Sequence, residues 1–110
     1  MNPLDTRMLS LMVEKIDRLL DVCSNHTRQE IKENYLLSDT IQFEFEKLFE
    51  DTTRLSVELK LDHPELPIDD LRSIRNRIAH DYGSVIIDIL ISTVENDLPP
   101  FKETILKILS

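Results

Sequence analysis

The chain has 110 residues, 41% of them hydrophobic, which is enough apolar material for one domain with a continuous core. We therefore expect a single domain spanning residues 1–110. Its single glycine argues against a β-sandwich or barrel, because the turns of those folds use many glycines. The formal net charge of −8 argues against broad, non-specific nucleic-acid binding, although a local basic patch could still bind RNA.

The cysteine, histidine and hydropathy patterns argue against disulfide-linked, metal-binding and membrane-spanning proteins. Cys23 is the only cysteine, so an internal disulfide and a cysteine-based zinc cage are excluded, and we expect a buried thiol. His26 and His63 have no ligand partners at metal spacing, so neither a metal site nor a cofactor is expected. No apolar run approaches the roughly 18 residues of a membrane span, and residues 1–12 lack a signal-peptide pattern. We expect a soluble, cytoplasmic protein.

The first predicted element is an amphipathic helix from about Leu4 to Asn25, because apolar residues recur there at steps of three and four. Asn2 suits its beginning, since an asparagine side chain can cap free amide donors. Thr27-Arg28-Gln29-Glu30 has the pattern of a capping box, which predicts a short second helix through about Leu36.

The third predicted helix has the longest apolar repeat, from Ile41 to Leu59, with Ser38-Asp39 as its cap. Phe43 lies beside this apolar stripe. Two explanations are equally favoured: Phe43 packs under the short second helix, or it contacts another subunit. The acidic stretch from Glu44 to Asp51 is expected to be a solvated face, with a partner-docking surface as the alternative.

The last third of the chain predicts further helices. Prolines predict a loop from Asp62 to Pro67, where a fourth helix then begins, and Gly83 is its expected end. The apolar segment from Val85 to Val94 predicts another helix, which Pro99-Pro100 interrupts before a last helical stretch from Phe101 to Leu109. Together these elements predict an all-α, up-and-down bundle of four to five helices with one short extra helix.

The end of the fourth predicted helix concentrates polar groups, in the order Arg75-Asn76-Arg77-Ile78-Ala79-His80-Asp81-Tyr82. A histidine can transfer a proton to or from a ribose 2′-hydroxyl or a leaving oxygen. An arginine can stabilise the extra negative charge of a phosphodiester transition state. The functional interpretation of these residue types is a metal-free ribonuclease site with Arg75 and His80 as catalytic residues. Asn76 would orient a phosphate oxygen or the histidine.

Arg72 and Arg77 belong to the same basic segment and are expected to contact RNA. On an ideal helix, Arg75 and His80 are displaced by about 140° around the axis. The two converge only if the helix ends near His80 or if the arginine acts opposite a second copy of the chain. The competing interpretation is a solvated helix end whose arginines pair with nearby aspartates, and the spacing alone favours it.

The motif Arg-Asn-x-x-x-His-x-Tyr, in a helical chain of this length, resembles that of the HepT-like (DUF86) branch of the HEPN superfamily. Arg75, Asn76, His80 and Tyr82 match it position for position. The likeness extends over nearly the whole chain, from the first long helix to the break at Leu98-Pro99.

The resemblance implies the toxin of a type VII toxin–antitoxin pair, an endoribonuclease in which two motif helices of a homodimer line one RNA cleft. It also implies a cognate minimal nucleotidyltransferase as antitoxin, which adds AMP to the tyrosine at the position of Tyr82 and so silences the nuclease. The alternative is a non-catalytic HEPN module that binds substrate or partner for a nucleotidyltransferase, which the acidic net charge favours. A structural bundle with an accidental motif is the third interpretation.

Overall fold

The computed structural model describes residues 1–80 and 84–110, and of His80 and Ser84 it describes the backbone. In these ranges the fold is all-α, as predicted, with five long helices and two short ones. Their bounds are α1 Pro3–Asn25, α2 Arg28–Glu33, α3 Tyr35–Thr53, α4 Val57–Asp62, α5 Ile68–His80, α6 Ser84–Asn96 and α7 Leu98–Leu109. None of the described helices is long and apolar enough to cross a membrane.

Helix α1 begins and runs as its sequence predicts. The Asn2 side chain accepts hydrogen bonds from the backbone N–H groups of Leu4, at 2.7 Å, and Asp5, at 3.4 Å. One stripe of α1 is buried against α3, α6 and α7, and its apolar members are Met8, Leu9, Met12, Ile16 and Leu19. This long helix is therefore the centre around which the others pack.

The boundary between the second and third helices was predicted wrongly. Asn34 caps α3, because its side chain accepts a hydrogen bond from the Leu36 N–H at 3.0 Å. The helix therefore begins at Tyr35 and not after the predicted cap Ser38-Asp39. Ser38 instead donates its hydroxyl to the carbonyl of Ile31 at 2.6 Å, which fastens α3 to α2.

The third helix predicted through Leu59 is in fact two helices. It ends at Thr53, and the Ser56 hydroxyl then accepts the Leu59 N–H at 3.1 Å and caps the separate helix α4. Ser56 also donates to the buried carboxylate of Asp5, from its N–H at 2.9 Å and its hydroxyl at 2.6 Å. The apolar repeat had suggested one continuous helix because Leu55 and Leu59 are both core residues.

The prolines near the end of the chain begin a helix and do not interrupt one. Pro99 and Pro100 lie in the first turn of α7, where a missing amide N–H leaves no intrahelical bond unmade. Helix α5 begins at Ile68, one residue after Pro67. The predicted helix end at Gly83 lies outside the described residues.

All seven described helices contribute to one hydrophobic core. Representative members, in chain order, are Met12, Ile31, Phe45, Leu59, Leu71, Leu90 and Ile105. Cys23 is half-buried at the edge of this core. Its burial, and to a smaller extent the negative charge of the Glu95 carboxylate, raise the pKa of the thiol to about 11.

For two side chains of α3, Phe43 and Asp51, the structure rules out one of the predicted placements. Phe43 is 56% exposed, with the Lys47 ammonium 4.8 Å from its ring centroid, so the explanation that it packs under α2 is wrong. Its contact with another subunit stays a prediction. The solvated acidic face is wrong for Asp51, which is buried and lies 2.6 Å from the Lys15 ammonium.

Candidate functional site

Helix α5 carries the predicted site residues on its solvent side. It packs against α3, and its buried Leu71 and partly buried Ile74 and Ile78 join the hydrophobic core. This anchoring face leaves four polar side chains exposed to solvent, namely Arg72, Arg75, Asn76 and Arg77. Arginine side chains on such a surface are free to contact a polyanion without the cost of removing a buried charge from its partner.

Arg75 lies between two cavities of different chemistry. The first, which we call the α3–α5 groove, has a volume of about 460 Å³ and is lined by Glu46, Phe49, Glu50, Thr53, Arg75, Ile78 and Ala79. The second, which we call the basic cleft, is a small recess of about 20 Å³ lined by Phe49, Thr52, Thr53, Lys60, Ile68, Arg72 and Arg75. On α5, Arg75 thus borders an acidic and a basic surface.

The basic cleft gathers three cationic side chains from two helices. Lys60 of α4 faces Arg72 and Arg75 of α5 across it, and no carboxylate among the described residues lines it. Arg72 has an exposed partner, Asp69, at 3.9 Å, and an exposed pair of this length holds the arginine only weakly. The recess itself has room for little more than one water molecule, so a phosphate group would contact Lys60, Arg72 and Arg75 at its mouth.

Lys60 is a site residue that sequence reasoning missed. The apolar repeat placed it directly after the end of the long third helix, remote from the motif, whereas the break before α4 brings it to α5. The Ser56 cap was the local signal that could have revealed this break.

Arg77 lies on a different side of α5 from Arg72 and Arg75. It shares a shallow cavity with Asp97, which precedes α7, and with five residues of α6, namely Asp88, Ile89, Ser92, Thr93 and Asn96. The Asp88 carboxylate is bound by Lys32 at 2.7 Å and by Arg28 at 3.0 Å, and these hydrogen bonds hold its pKa below the usual range. The predicted RNA-binding arginines are therefore divided between two surfaces.

Asn76 and His80 are one helical turn apart, and α5 is helical through His80. The backbone therefore directs these two positions to the same face and displaces Arg75 from His80 by about 140°. The side chain of His80, and the whole of Tyr82, lie outside the described residues. Within the described ranges, no three His, Cys, Asp or Glu side chains gather as metal ligands.

Comparison with known proteins gives the family. The model of the family described as Ribonuclease HepT-like matches residues 12–108, a span that includes all of α5, the α3–α5 groove and the basic cleft. The chain belongs to this HepT-like family. The resemblance predicted from the motif is thereby confirmed.

A curated relative and the solved structures add two further findings. A protein named probable ribonuclease HepT, from Thermococcus cleftensis, is 27% identical over 94 residues, which cover 82% of this HepT-like chain and 86% of the relative. No solved structure matches the chain significantly.

Proposed function

We propose that this protein is a metal-independent endoribonuclease, the toxin of a toxin–antitoxin pair, with its site on α5. The observation that carries the proposal is the position of Arg75, which lines a basic cleft with Lys60 and Arg72 on the helix that bears Asn76 and His80. Membership of the HepT-like family and the name of the Thermococcus relative support RNA as the substrate. Residues 1–110 act as one domain in this proposal.

The proposed reaction is an attack of the ribose 2′-oxygen on the adjacent phosphorus. His80 accepts the proton of the 2′-hydroxyl as the O2′–P bond forms. The bond from phosphorus to the 5′-oxygen breaks, and that oxygen takes a proton from water as it leaves. Arg75 stabilises the negative charge on the phosphoryl oxygens, and Asn76 donates a hydrogen bond to one of them. The products are a 2′,3′-cyclic phosphate and a 5′-hydroxyl.

The proposed active form is a homodimer, because the geometry of α5 directs Arg75 and His80 of one chain to different sides of the helix. Because α5 stays helical through His80, Arg75 and His80 of one chain are directed about 140° apart. A second α5, related by a two-fold axis, can bring its own histidine opposite this arginine. Each RNA site would then take Arg75 from one subunit and His80 from the other.

The proposed regulator is a cognate minimal nucleotidyltransferase that transfers AMP to Tyr82. This residue is two positions beyond His80 in the sequence, so an attached nucleotide would bring negative charge and bulk to the RNA site. Intact mass after co-expression with the neighbouring nucleotidyltransferase tests this step. A mass increase of one AMP group that Tyr82→Phe abolishes supports it, and an unmodified chain contradicts it.

The experiment for the central proposal is RNA cleavage by purified protein in excess chelator. Removal of a transition-state donor or a general base slows such reactions by roughly 10²–10⁴-fold, so we expect losses of this size in Arg75→Ala and His80→Ala. Arg7→Ala and His26→Ala are matched controls, because Arg7 is an exposed residue of α1 and His26 is a partly exposed residue at the C-terminal cap of that helix. Unchanged cleavage by either α5 variant contradicts the proposal.

The alternative, a non-catalytic HEPN module, is favoured by the net charge of −8 and by the two glutamates of the α3–α5 groove. Such a module binds substrate or partner for a nucleotidyltransferase without cleaving RNA. In the chelator assay it would leave every RNA intact, at protein concentrations where binding is complete.

A further inference from the structure

We propose that the α3–α5 groove binds the base of the nucleotide next to the scissile phosphate, and that Glu46 makes this subsite selective for guanine. The inference rests on the proposed ribonuclease function, since Arg75 is the phosphate ligand from which the subsite is placed. It assigns a role to an acidic surface that would otherwise only repel RNA.

The volume and the apolar lining of the groove suit a nucleic-acid base. Its volume of about 460 Å³ falls in the range of roughly 300–1,000 Å³ typical of small-ligand pockets. Phe49, Ile78 and Ala79 provide an apolar lining, and Phe49 is itself held in the core with 3% exposure. Because the Phe49 ring is buried, the partly buried Ile78 and the exposed Ala79 are the apolar side chains that can contact the face of an unstacked base.

The charges on either side of Arg75 determine which part of a nucleotide enters the groove. Glu46 and Glu50 repel a phosphate, whereas Lys60 and Arg72 attract one to the mouth of the basic cleft on the other side. A nucleotide whose phosphate contacts Arg75 therefore places its uncharged base on the side of the glutamates.

Of the two glutamates, Glu46 is the one available to a ligand. An Arg54 guanidinium nitrogen already lies 2.5 Å from a Glu50 carboxylate oxygen. Glu46 is exposed, and within the described residues it forms no ion pair or side-chain hydrogen bond. Its two carboxylate oxygens accept hydrogen bonds and cannot donate them when ionised.

A carboxylate of this kind selects guanine among the four RNA bases. The Watson–Crick edge of guanine presents two neighbouring donors, N1–H and the 2-amino group, which match the two oxygens of one carboxylate. Adenine and cytosine each place an acceptor nitrogen beside their amino group, and uracil flanks its single N–H with two carbonyl oxygens. An acceptor facing a carboxylate leaves both groups unpaired and repelled, which disfavours those bases.

The test measures binding separately from cleavage. The probes are short 2′-O-methyl oligouridines with one central guanine, hypoxanthine or uracil, which the proposed reaction cannot cleave because the 2′-oxygen is blocked. We expect the wild-type chain to bind the guanine probe about tenfold more tightly than the hypoxanthine probe, which lacks the 2-amino group, and than the uracil probe. Glu46→Gln should abolish this preference, because an amide offers only one acceptor oxygen.

Glu103→Gln is the matched control, since it makes the same charge change on exposed α7 and should keep the tenfold preference. Equal binding of the three probes by wild type, or a guanine preference that survives Glu46→Gln, overturns the subsite even if RNA is cleaved. A Glu46-dependent preference without cleavage of ordinary RNA supports the subsite and overturns the nuclease. If Glu46→Gln changes only the oligomeric state in sedimentation, the groove is a protein interface and the subsite is overturned.

Discussion

The ion pair between Lys15 and Asp51 is the most deeply buried charge interaction among the described residues. The Lys15 ammonium lies 2.6 Å from an Asp51 carboxylate oxygen, and the two side chains are 10% and 7% exposed. The pair joins α1 to α3, the helix that forms one wall of the α3–α5 groove. Its strength depends on both partners, because either charge alone would be buried without compensation.

We expect Lys15→Met to lower the free energy of unfolding by about 3–5 kcal/mol, since it leaves the Asp51 carboxylate buried and unpaired. Urea denaturation measures the change. Arg54→Ala is the control: it breaks an exposed pair with Glu50 and should cost no more than about 1 kcal/mol. A loss below about 1 kcal/mol in Lys15→Met would show that the buried pair does not stabilise the fold.

At the scale of elements, the placement of α4 matters most for the site. Asp5 at the start of α1 accepts two hydrogen bonds from Ser56, the residue that caps α4. Lys60 on this short helix is thereby held beside Arg72 and Arg75. A helix of six residues has little stability of its own, so it depends on this cap and on buried Leu59.

Ser56→Ala should therefore loosen α4 in particular. Loss of the cap and of one buried hydrogen bond to Asp5 predicts a decrease of about 1–3 kcal/mol in the free energy of unfolding. Amide hydrogen exchange should accelerate in residues 57–62 more than in α1 or α3. Ser24→Ala, at the exposed end of α1, should leave exchange in α4 unchanged. Uniform acceleration in all helices would contradict this role of Ser56.

The sequence was sufficient for the elements whose signals are local. The Thr27–Glu30 capping box is present in the structure, and the apolar stripe of α1 is buried as predicted. The start of α3 was missed because Asn34 and Ser38 were both acceptable caps, and only the packing of Ser38 on α2 decides between them. Local sequence does not encode such a choice.

The sequence predicted the residues of the candidate site that lie in the motif segment. It did not predict the residues that other helices bring beside them. Arg75 and Arg72 were identified from one short segment, and the structure places both on the basic cleft. Lys60 and Glu46 belong to other helices, so their proximity to Arg75 depends on how α3, α4 and α5 pack. A single sequence gives no measure of that packing.

For the whole molecule, the contrast between net charge and local charge should govern the proposed RNA binding. The chain carries a formal charge of −8, and the basic cleft is a local exception to it. Affinity for RNA should therefore depend on few phosphate contacts and should decrease only moderately with salt. Long-range attraction contributes little to such an interaction, so the local contacts carry most of it.

Lys60→Ala should weaken RNA binding and reduce the slope of log affinity against log salt concentration by about 0.7, the value for one lost contact with single-stranded RNA. Fluorescence anisotropy over a salt series measures both quantities. Lys107→Ala removes an exposed lysine at the end of α7 and should leave the slope unchanged. Equal effects of the two variants would mean that Lys60 contributes only to the overall charge.

The most direct test of the proposed site is complementation between Arg75→Ala and His80→Ala in one cleavage assay. Each variant alone should be inactive, because every RNA site then lacks either the guanidinium or the imidazole. After equal amounts of the two are mixed and allowed to exchange subunits, about half of the dimers should be heterodimers, and one of the two sites in each has both groups intact. The mixture should therefore recover about a quarter of wild-type cleavage. Full cleavage by either variant alone, or no recovery in exchanged heterodimers, would contradict a site shared between two α5 helices.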